Sequence, residues 1–568
     1  MTAPVLSLRL VLLWHMHQPD YRDPLTREFI LPWTYLHAIK DYVDMAAHLE
    51  AHPSMKAVVN WVPVLLDQLE DYAAQFAAGQ VRDPLLGLLA RENLDSLSKE
   101  QRRLVVDSCF RSNHHKMLDP FSSYKKLHQL FNEVERQGEE ALVYLSGQYL
   151  GDLLTWYHLA WTGETVRREQ QLVAQLIAKG SQFTYNERQA LFRLIGELIQ
   201  GIIPRYRRLM ERGQVEISTT PHHHPLAPLL LDFAHAREAQ PGAALPENAT
   251  YPGGRDRVGY HLRSARVSHR RRFGADPMGL WPAEGGVCGT LLDMVADTGL
   301  SWTASGEGVL AGSLRSVGAL PAERAHYLYR PYRWAGHPSL TLFFRDDRLS
   351  DLIGFEYAKW NGRDAAHHFI AELEGIARAA PPGEAPLVSV ALDGENAWET
   401  YPYNGYYFLR ELYGALERHP FIRTMTYHEV LAETAEQPPA SVLGKLVAGS
   451  WVYGNFSTWI GSPDKNRAWD LLCAAKQSFD LVMGGGRLTE EERRAAASHL
   501  ATCESSDWFW WFGDYNPAHA VASFDALFRR NLEHLYRLLK LEPPSILGQP
   551  ISHGHGDPEA GGAMRRAS

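Results

Sequence analysis

Two apolar segments of this chain each lead into an acidic residue. The run Leu387–Leu392 ends at Asp393, and Gly279–Trp281 is followed three residues later by Glu284. The first run has the length and continuous apolar character of a strand that is buried on both faces of a parallel sheet. A carboxylate at the carboxyl end of such a strand lies where α/β sheets and barrels build their active sites. The sequence therefore predicts an α/β fold with two acids at the mouth of a sheet or barrel.

Short strand-like segments are separated by helical stretches along most of the chain. This alternation predicts parallel βα units, and both a barrel and an open doubly wound sheet fit the spacing. The segments with strand character are Leu8–Trp14, Ala57–Trp61, Val215–Ser218, Leu280–Trp281, Ser301–Ala304, Leu340–Phe344, Leu387–Leu392 and Ile422–Thr426.

The 568 residues are enough for a large barrel and one further domain. We expect a catalytic barrel over residues 1–435, interrupted by a helical insertion at about 83–210. Amphipathic helical patterns then predict a C-terminal helical domain over 436–550 that completes the active-site cleft. The Gly- and Ala-rich residues 551–568 are expected to form a disordered tail.

Composition and charge exclude several classes of protein. The net charge of -9 argues against a nucleic-acid-binding protein, because such proteins are usually basic. No apolar run reaches the length of a transmembrane helix, so we expect no membrane partner. The N-terminus lacks the basic region and cleavage site of a signal peptide. The four cysteines are widely spaced and form no CxxC pair, which favours a cytoplasmic location.

Histidines follow the first strand. His15 and His17 are alternate residues of an extended segment, so their side chains face the same way. A zinc site would need two further ligands, one of which could come from His222–His224. We favour hydrogen bonding to substrate hydroxyls, by Gln18 as well as the histidines, and therefore predict no metal and no cofactor.

Acidic and aromatic residues occur together in three other places. Glu216 interrupts an apolar strand, and a buried carboxylate needs a partner; a structural partner and a substrate contact are both open. Trp281 and Trp398 lie near the two strand-end acids, where flat apolar faces suit sugar rings. Five consecutive aromatics from Trp508 follow Asp507, and they cannot all face one core from one helix. We expect Asp507 to fold back over the barrel mouth.

Two acids on either side of a glycosidic bond are the usual machinery of glycoside cleavage. Either acid could instead cap the helix that follows its strand, and Glu395 and Glu399 compete with Asp393 for the acid role. We favour Asp393 because it is the first residue after its strand. The sequence thus predicts a pair formed by Glu284 and Asp393.

Five segments, in this order, resemble the signature regions of glycoside hydrolase family 57. They are similar to its His-Gln-Pro, Gly-x-x-Glu-Ile, Trp-x-x-Glu, Asp-Gly-Glu and Ser-Asp-Trp-Phe-Trp-Trp regions, and they span Trp14 to Asp514. The resemblance implies an incomplete (β/α)7 barrel with a helical C-terminal domain. It also implies Glu284 as the nucleophile and Asp393 as the general acid/base of a retaining reaction. The substrate-binding residues predicted from the motifs are His15, His17, Gln18, Glu216, His224, Trp281, Trp398, Asp507 and Trp508.

The motifs around Asp393 and Trp508 look closest to the amylopullulanase and α-amylase side of the family. We therefore expect hydrolysis of α-1,4 bonds in starch or glycogen, and leave α-1,6 cleavage open. The alternatives are a 4-α-glucanotransferase or branching enzyme that uses the same two acids, a non-catalytic glucan-binding protein, and a deacetylase-like metal hydrolase. His222–His224 departs from the family pattern, where aromatics are expected before the last histidine.

Overall fold

The computed structural model describes residues 7–436 and 441–556. The segments with strand character all correspond to observed strands, and two short strands were not predicted. The strands are β1 Leu8–Met16, β2 Ala57–Trp61, β3 Val215–Thr219, β4 Gly279–Leu280, β5 Trp302–Gly306, β6 Tyr332–Trp334, β7 Thr341–Arg345, β8 Leu387–Asp393, β9 Ile422–Thr424 and β10 Val442–Leu443.

Seven parallel strands form an incomplete barrel. They are hydrogen-bonded in the order β8-β1-β2-β3-β4-β5-β7. The two ends of this sheet approach each other: the amide of Asp346 donates to the carbonyl of Ser389 at 2.7 Å, and Arg345 Nη1 donates to the carbonyl of Ala391 at 2.9 Å. Within the described residues no ladder joins β7 to β8. The predicted α/β fold and the (β/α)7 barrel are confirmed.

Three strands lie outside the barrel order. β6 pairs antiparallel with β7 and carries β10 in parallel, while β9 adds to the start of β1. The side chains of β1 and β8 are almost all buried, as expected for central parallel strands covered by helices on the outside.

Helices fill the space between β2 and β3, where the insertion was predicted. The longest, α10, begins with a capping box between Thr184 and Glu187. The helices up to β3 are α1 Trp33–His37, α2 Val43–Ala51, α3 Pro63–Ala78, α4 Pro84–Ala90, α5 Lys99–Cys109, α6 Ser122–Glu135, α7 Gly147–Ala160, α8 Glu164–Glu169, α9 Gln171–Lys179 and α10 Tyr185–Glu211.

The remaining helices cover the rest of the barrel and build the C-terminal part. After β3 come α11 Ala227–Leu231, α12 Ala236–Ala239, α13 Gly254–Phe273, α14 Gly289–Asp297, α15 Glu307–Ser316, α16 Asp347–Asp351, α17 Gly362–Ala379, α18 Tyr406–Glu417 and α19 Tyr427–Glu436. The C-terminal helices are α20 Pro463–Gly484, α21 Glu490–Cys503, α22 Asp507–Trp511 and α23 Ala518–Leu538.

The first residues of the predicted tail are packed. Ile551 and Ser552 are buried, and the amide of Ile551 donates to Asp525 Oδ1 at 2.7 Å. The amide of Gly556 donates to the carbonyl of Asn516 at 3.0 Å. Residues 551–556 therefore belong to the folded C-terminal part, which corrects the predicted start of the tail. Residues 557–568 lie outside the described residues.

The structure also bears on membrane and disulfide chemistry. In the two described stretches, no helix has the length and apolar character needed to cross a membrane. All four cysteines are buried and unpaired, as their wide spacing in the sequence suggested.

Candidate active site

The register of three neighbouring strands brings the first site residues together. His15 of β1 pairs with Asn60 of β2 on one side and with Asp393 of β8 on the other. These residues lie at the carboxyl ends of their strands, where a barrel opens. His15 is buried, and its Nδ1 lies 2.6 Å from Asn60 Oδ1.

The hydrogen bonds of Asn60 fix the protonation of two histidines. Asn60 Nδ2 donates to the carbonyl of Thr219, so Oδ1 must accept from His15 Nδ1–H. The bare His15 Nε2 then accepts from His224 Nε2–H at 3.2 Å. His224 Nδ1 is left as an acceptor for the Ser506 hydroxyl at 2.9 Å. Burial lowers the pKa of His15 to about 3 and that of His224 well below its usual value, so both rings are neutral at pH 7.

Glu284 lies four residues beyond β4 in a strained turn. Its φ of 58° and ψ of 23° are left-handed, a conformation that is uncommon for a residue with a side chain. Trp451 holds the turn from the C-terminal part, donating its amide to the carbonyl of Glu284 at 3.0 Å and its indole N–H to Oε2 at 3.2 Å. Strain of this kind persists where surrounding contacts enforce it, often at functional sites.

The buried carboxylate of Glu284 is surrounded by like charge. Burial, followed by the charges of Asp507 and Asp393, raises its pKa well above the usual range, while the N–H of Trp451 and the hydroxyl of Ser506 act in the opposite direction. The Ser506 oxygen is 3.4 Å from Oε1, farther than from His224. Because His224 Nδ1 is unprotonated, it accepts the Ser506 hydroxyl proton. Trp451 is then the main side-chain donor to Glu284.

Asp507 reaches the barrel mouth from the start of α22. His17 Nε2 lies 2.9 Å from both of its carboxylate oxygens. The Ser505 hydroxyl donates to Oδ2 at 2.5 Å. The ring of His17 stacks on that of His224, with centroids 3.8 Å apart. The helical C-terminal part thus contributes an acid to the same site as β1 and the loop after β3.

Asp393 closes β8 with few hydrogen bonds. Asn396 Nδ2 donates to its Oδ2 at 2.8 Å. Burial raises the pKa of Asp393 to about 6, against the lowering effects of Asn396, His17 and Arg345. A carboxyl group with such a pKa can be protonated near neutral pH, as a general acid must be.

Glu395, a competitor for the acid role, is instead tied to the interior. It accepts hydrogen bonds from the His17 amide at 3.0 Å, from Gln18 Nε2 at 3.2 Å and from the Tyr42 hydroxyl at 3.1 Å. Gln18 also accepts from Tyr21 at 2.7 Å. Both ends of the Gln18 amide are used inside the protein, so the structure gives Gln18 and Glu395 a supporting role for the loop that carries His17.

One group of side chains in the described part of the chain has the composition of a metal site. His17, His224 and Asp507 bring potential ligand atoms within 4.8 Å of one another. The two rings are stacked, so their in-plane lone pairs run side by side instead of meeting at one point. Both nitrogens of His224 are also occupied by Ser506 and His15. The donor set fits a metal poorly, and the absence of a metal requirement stays a prediction that a chelator assay can test.

Glu216 is far from this cluster in the barrel. It is the second residue of β3, at the amino end of the strand, whereas the cluster lies at the carboxyl ends. Trp302 Nε1 donates to Oε1 at 2.7 Å and the His428 amide donates to Oε2 at 2.8 Å. Of the two interpretations left open by the sequence, the structure favours a structural partner. The predicted substrate contact is corrected on that ground.

The predicted tryptophans are all buried. Trp398 donates its N–H to the carbonyl of Gly394 at 2.8 Å and packs edge-on against Trp14. Trp508 donates to the carbonyl of Thr502 at 3.0 Å and packs on α23. Both are core residues in this structure, contrary to the predicted substrate contacts. Trp281 is fully buried too, but its ring packs against that of Trp451, which holds Glu284.

Three contributors to the site were missed from the sequence. Asn60 carried a signal, because it is a polar residue in an otherwise apolar strand. Ser506 is adjacent to Asp507 and was passed over. Trp451 carried none, since its segment has no periodic pattern and its partner Glu284 is 167 residues away. His222, whose role the sequence left open, contacts Asp67 at 2.8 Å and Ser264 at 2.6 Å outside the cluster.

Comparison with known proteins identifies the family of the chain. The family model described as glycosyl hydrolase family 57 matches residues 11–442. No match was found among curated proteins.

Solved structures share the fold of nearly the whole chain. A GH57 branching enzyme from Thermococcus kodakaraensis, in complex with glucose and additives, is 16% identical with a TM-score of 0.56, covering 94% of this chain and 90% of that chain. The α-amylase AmyC from Thermotoga maritima is 13% identical with a TM-score of 0.56, covering 94% and 93%. A GH57-type branching enzyme from Pyrococcus horikoshii is 16% identical with a TM-score of 0.54, covering 97% and 99%. At these identities the likeness concerns the fold alone.

Proposed function

The chain belongs to glycosyl hydrolase family 57, and on this premise we propose that it cleaves α-glucosidic bonds of starch- or glycogen-type polysaccharides with retention of configuration. Glu284 is the proposed nucleophile and Asp393 the general acid/base. The observation that carries the proposal is that both acids border one histidine cluster. Asp393 is the register partner of His15, which contacts His224 at 3.2 Å; the Ser506 hydroxyl joins the other side, 2.9 Å from His224 and 3.4 Å from Glu284. The charge of Asp393 also contributes to the raised pKa of Glu284.

The proposed reaction has two steps. Glu284 attacks the anomeric carbon while Asp393 protonates the leaving oxygen, giving a covalent glucosyl–enzyme. Asp393 then takes a proton from the incoming hydroxyl, which displaces Glu284 and releases an α-product. The raised pKa values mean that the cluster retains a proton near neutral pH. The division of roles between the two acids follows from the resemblance of their motifs to the nucleophile and acid regions of the family. The Ser506 hydroxyl donates to His224 and not to Glu284. Glu284 therefore has few hydrogen bonds to break before it attacks the anomeric carbon.

His17 and Asp507 are the proposed contacts to the hydroxyls of the cleaved sugar, because an imidazole and a carboxylate offer donor and acceptor atoms in one small region. This mixture suits sugar hydroxyls, each of which donates and accepts. His15 and His224 were predicted as further contacts, but their ring nitrogens are bonded to Asn60, to Ser506 and to each other, so we propose that they position the site. Trp451 is proposed to form the apolar wall beside Glu284, with the fully buried ring of Trp281 packed behind it.

Hydrolysis of α-1,4 bonds is the first candidate, as the motifs around Asp393 and Trp508 suggested. Transfer to a second sugar is the second candidate, and one observation favours it: Glu284 is only 9% exposed and Trp451 also 9%. A site that excludes water lets a bound sugar hydroxyl compete as acceptor. The branching enzymes and the α-amylase that share this fold are consistent with either outcome.

Maltotriose separates the two candidates. Hydrolysis yields glucose and maltose with a steady rise in reducing ends, whereas disproportionation yields longer oligosaccharides with constant reducing ends. A branching reaction is recognised by new α-1,6 links when amylose is the substrate. NMR of the first product anomer tests the shared mechanism: we expect the α-anomer, and an initial β-anomer would contradict retention. The cytoplasmic location suggested by the cysteines stays a prediction.

A further inference from the structure

A strained turn outside the carboxylate–histidine cluster displays an aromatic ring to solvent. Tyr403, Asn404 and Gly405 have φ values of 53°, 53° and 73°, three successive residues in the left-handed region. Left-handed backbone is unfavourable for residues with a side chain, and such residues occur singly as a rule. Tyr403 is nevertheless 57% exposed. The fold thus maintains a strained turn, and this turn places the side chain of Tyr403 in solvent.

Buried contacts enforce the turn from below. Asn404 Nδ2 donates to Asp44 Oδ2 at 2.8 Å, and Asp44 also accepts the amides of Glu164 and Thr165 at the start of α8. At Gly405 any Cβ would lie 2.7 Å from the ring of Trp398. The segment that follows Asp393 is therefore locked to the helical insertion, and strain of this kind is a reason to look for a function.

Two further exposed rings belong to segments that meet next to the turn. Tyr407, 43% exposed, contacts Tyr403 edge-on with centroids 5.4 Å apart. Trp360, 41% exposed, precedes Gly362, where a Cβ would lie 3.2 Å from the Cβ of Tyr407. We call Trp360, Tyr403 and Tyr407 the Tyr403 patch. It combines segments that follow β7 and β8, at the carboxyl-end face of the barrel where α17 and α18 begin.

The ring of Tyr407, at the centre of the Tyr403 patch, is held in place. Arg168 Nη2 donates to the Tyr407 hydroxyl at 3.1 Å, and its guanidinium lies over the rings of Tyr406 and Tyr407, 4.3 and 5.3 Å from their centroids. Glu164 fixes Arg168 through a bond of 2.9 Å. Rigid aromatic side chains bind with little loss of conformational entropy.

We propose that the Tyr403 patch is a second α-glucan-binding site, separate from the carboxylate–histidine cluster, which holds a chain of the polymer at the carboxyl-end face of the barrel while another part of the polymer is cleaved. The choice of ligand rests on the proposed function. It also follows from the chemistry of the patch, since flat rings offer faces to sugar C–H groups while hydroxyls and a guanidinium offer hydrogen bonds at the edge. Across residues 346–420, all of them described, no Leu, Ile, Val or Met is comparably exposed, which disfavours a hydrophobic helix as the occupant.

The test uses glycogen as the probe and a variant that suits the turn. Tyr403→Gly removes the ring while favouring the left-handed backbone, so its melting temperature should equal or exceed that of the parent. Trp360→Ala is the second variant. Tyr144→Ala is the matched control, because Tyr144 is 85% exposed on the insertion and lies outside the patch. All are made in a Glu284→Gln background, so that glycogen stays intact during affinity electrophoresis.

We expect the dissociation constant for glycogen to rise roughly three- to tenfold in Tyr403→Gly and in Trp360→Ala, the range expected when an exposed aromatic anchor is removed. It should stay unchanged in Tyr144→Ala. With Glu284 restored, the ratio of activity on glycogen to activity on maltotriose should fall by a similar factor.

Several results would overturn the proposal: a parent protein that glycogen does not retard, folded patch variants that bind like the parent, or an equal loss in Tyr144→Ala. A change in oligomeric state without a change in glycogen binding would instead make the surface an interface between copies. Failure of the proposed function can be told apart from failure of this proposal. If the patch is needed for glycogen binding but the parent enzyme does not cleave glycogen, only the proposed cleavage is refuted.

Discussion

The two ends of the barrel hold carboxylates with raised pKa values in different ways. At the amino end, Glu216 has a pKa raised by burial to about 7, and it accepts one hydrogen bond from Trp302 and one from the His428 amide. At the carboxyl end, Glu284 and Asp393 also have raised pKa values, but each shares its space with other acids and with histidines. The amino-end carboxyl stands apart from that cluster, whereas the carboxyl-end pair lies within it.

This contrast separates two meanings of a perturbed pKa. Burial alone raises the pKa of a carboxyl group, so the shift of Glu216 needs no catalytic explanation. At the barrel mouth, several like charges lie close together, and Glu284 stands on a strained turn. This arrangement lowers the stability of the protein and makes no structural contribution that would explain it. We therefore assign the catalytic role by the position of a carboxyl group in the barrel more than by the shift of its pKa. The predictions below test that assignment, beginning with the largest expected effect.

Removal of the carboxyl-end nucleophile should nearly abolish activity. We expect Glu284→Gln to lower kcat on soluble starch by at least about a thousandfold, because the covalent step is lost. The fold should remain, as measured by circular dichroism and the melting temperature. A Glu284→Gln enzyme with near-parental turnover would remove Glu284 from the mechanism.

A companion variant checks the chemistry directly. Glu284→Gly suits the left-handed φ of 58°, so it should fold well. External azide should restore activity of this variant on an activated glucoside with a small leaving group. Absence of rescue in a folded variant would count against a nucleophilic role.

Loss of the general acid should have the next largest effect. We expect Asp393→Ala to lower kcat/KM on starch by about a hundred- to ten-thousandfold, and by much less on a substrate whose leaving group needs no proton. In the parent enzyme Asp393 acts in its protonated form, and its pKa is about 6. Activity should therefore decline as the pH rises above about 6, and that limb should disappear in the variant. An equal loss on both kinds of substrate would refute the acid role.

The acid supplied by the C-terminal part should matter less. We expect Asp507→Ala to reduce activity roughly ten- to hundredfold, since His17 loses its 2.9 Å partner and the sugar loses a hydrogen-bonding group. The melting temperature should change little, because relief of repulsion with Glu284 offsets the lost bond. A marked loss of stability with normal specific activity would show that α22 has only a structural role.

The amino-end carboxyl should matter least for activity. We expect Glu216→Gln to keep kcat within about threefold. In the folded protein the pKa of Glu216 is raised from 4.5 to about 7, so the fold favours the protonated form. The contribution of the protonated Glu216 to the free energy of unfolding is fully present below about pH 4.5. It is lost as the pH rises through 7, and the loss at pH 8 is at most about 3 kcal/mol. The melting temperature of Glu216→Gln relative to the parent should increase from pH 5 to pH 8. A hundredfold loss of activity in Glu216→Gln would show that the amino-end carboxyl is also needed for the reaction, and would contradict the contrast between the two ends of the barrel.

The sequence predicted the main strands and the acids at strand ends well, because burial in a parallel sheet leaves a local apolar signature. It did not predict β6 and β10, whose three and two residues are too short for any periodicity. It also could not orient tryptophan rings. Trp398 lies five residues beyond Asp393, yet its ring enters the core against Trp14. Side-chain direction after a strand depends on tertiary packing, which neighbouring residues do not encode.

The contribution of the C-terminal part shows the same limit. Asp507 was predicted from its motif, and its contact with His17 spans 490 residues. Trp451, equally close to the chemistry, had no motif and emerged only from the hydrogen bonds to Glu284. Contacts between distant segments follow from the fold as a whole, so residues outside a recognisable motif are missed.

Covalent trapping tests the central claim most directly. A fluorinated α-glucosyl fluoride that forms the glycosyl–enzyme quickly and releases it slowly would be incubated with the protein, followed by intact-mass and peptide mass spectrometry. We predict one glucosyl adduct per chain, on the peptide that contains Glu284, and none in Glu284→Gln. An adduct on Glu216 or Asp393, or continued turnover of the reagent without any adduct, would contradict a covalent mechanism at the carboxyl end of the barrel.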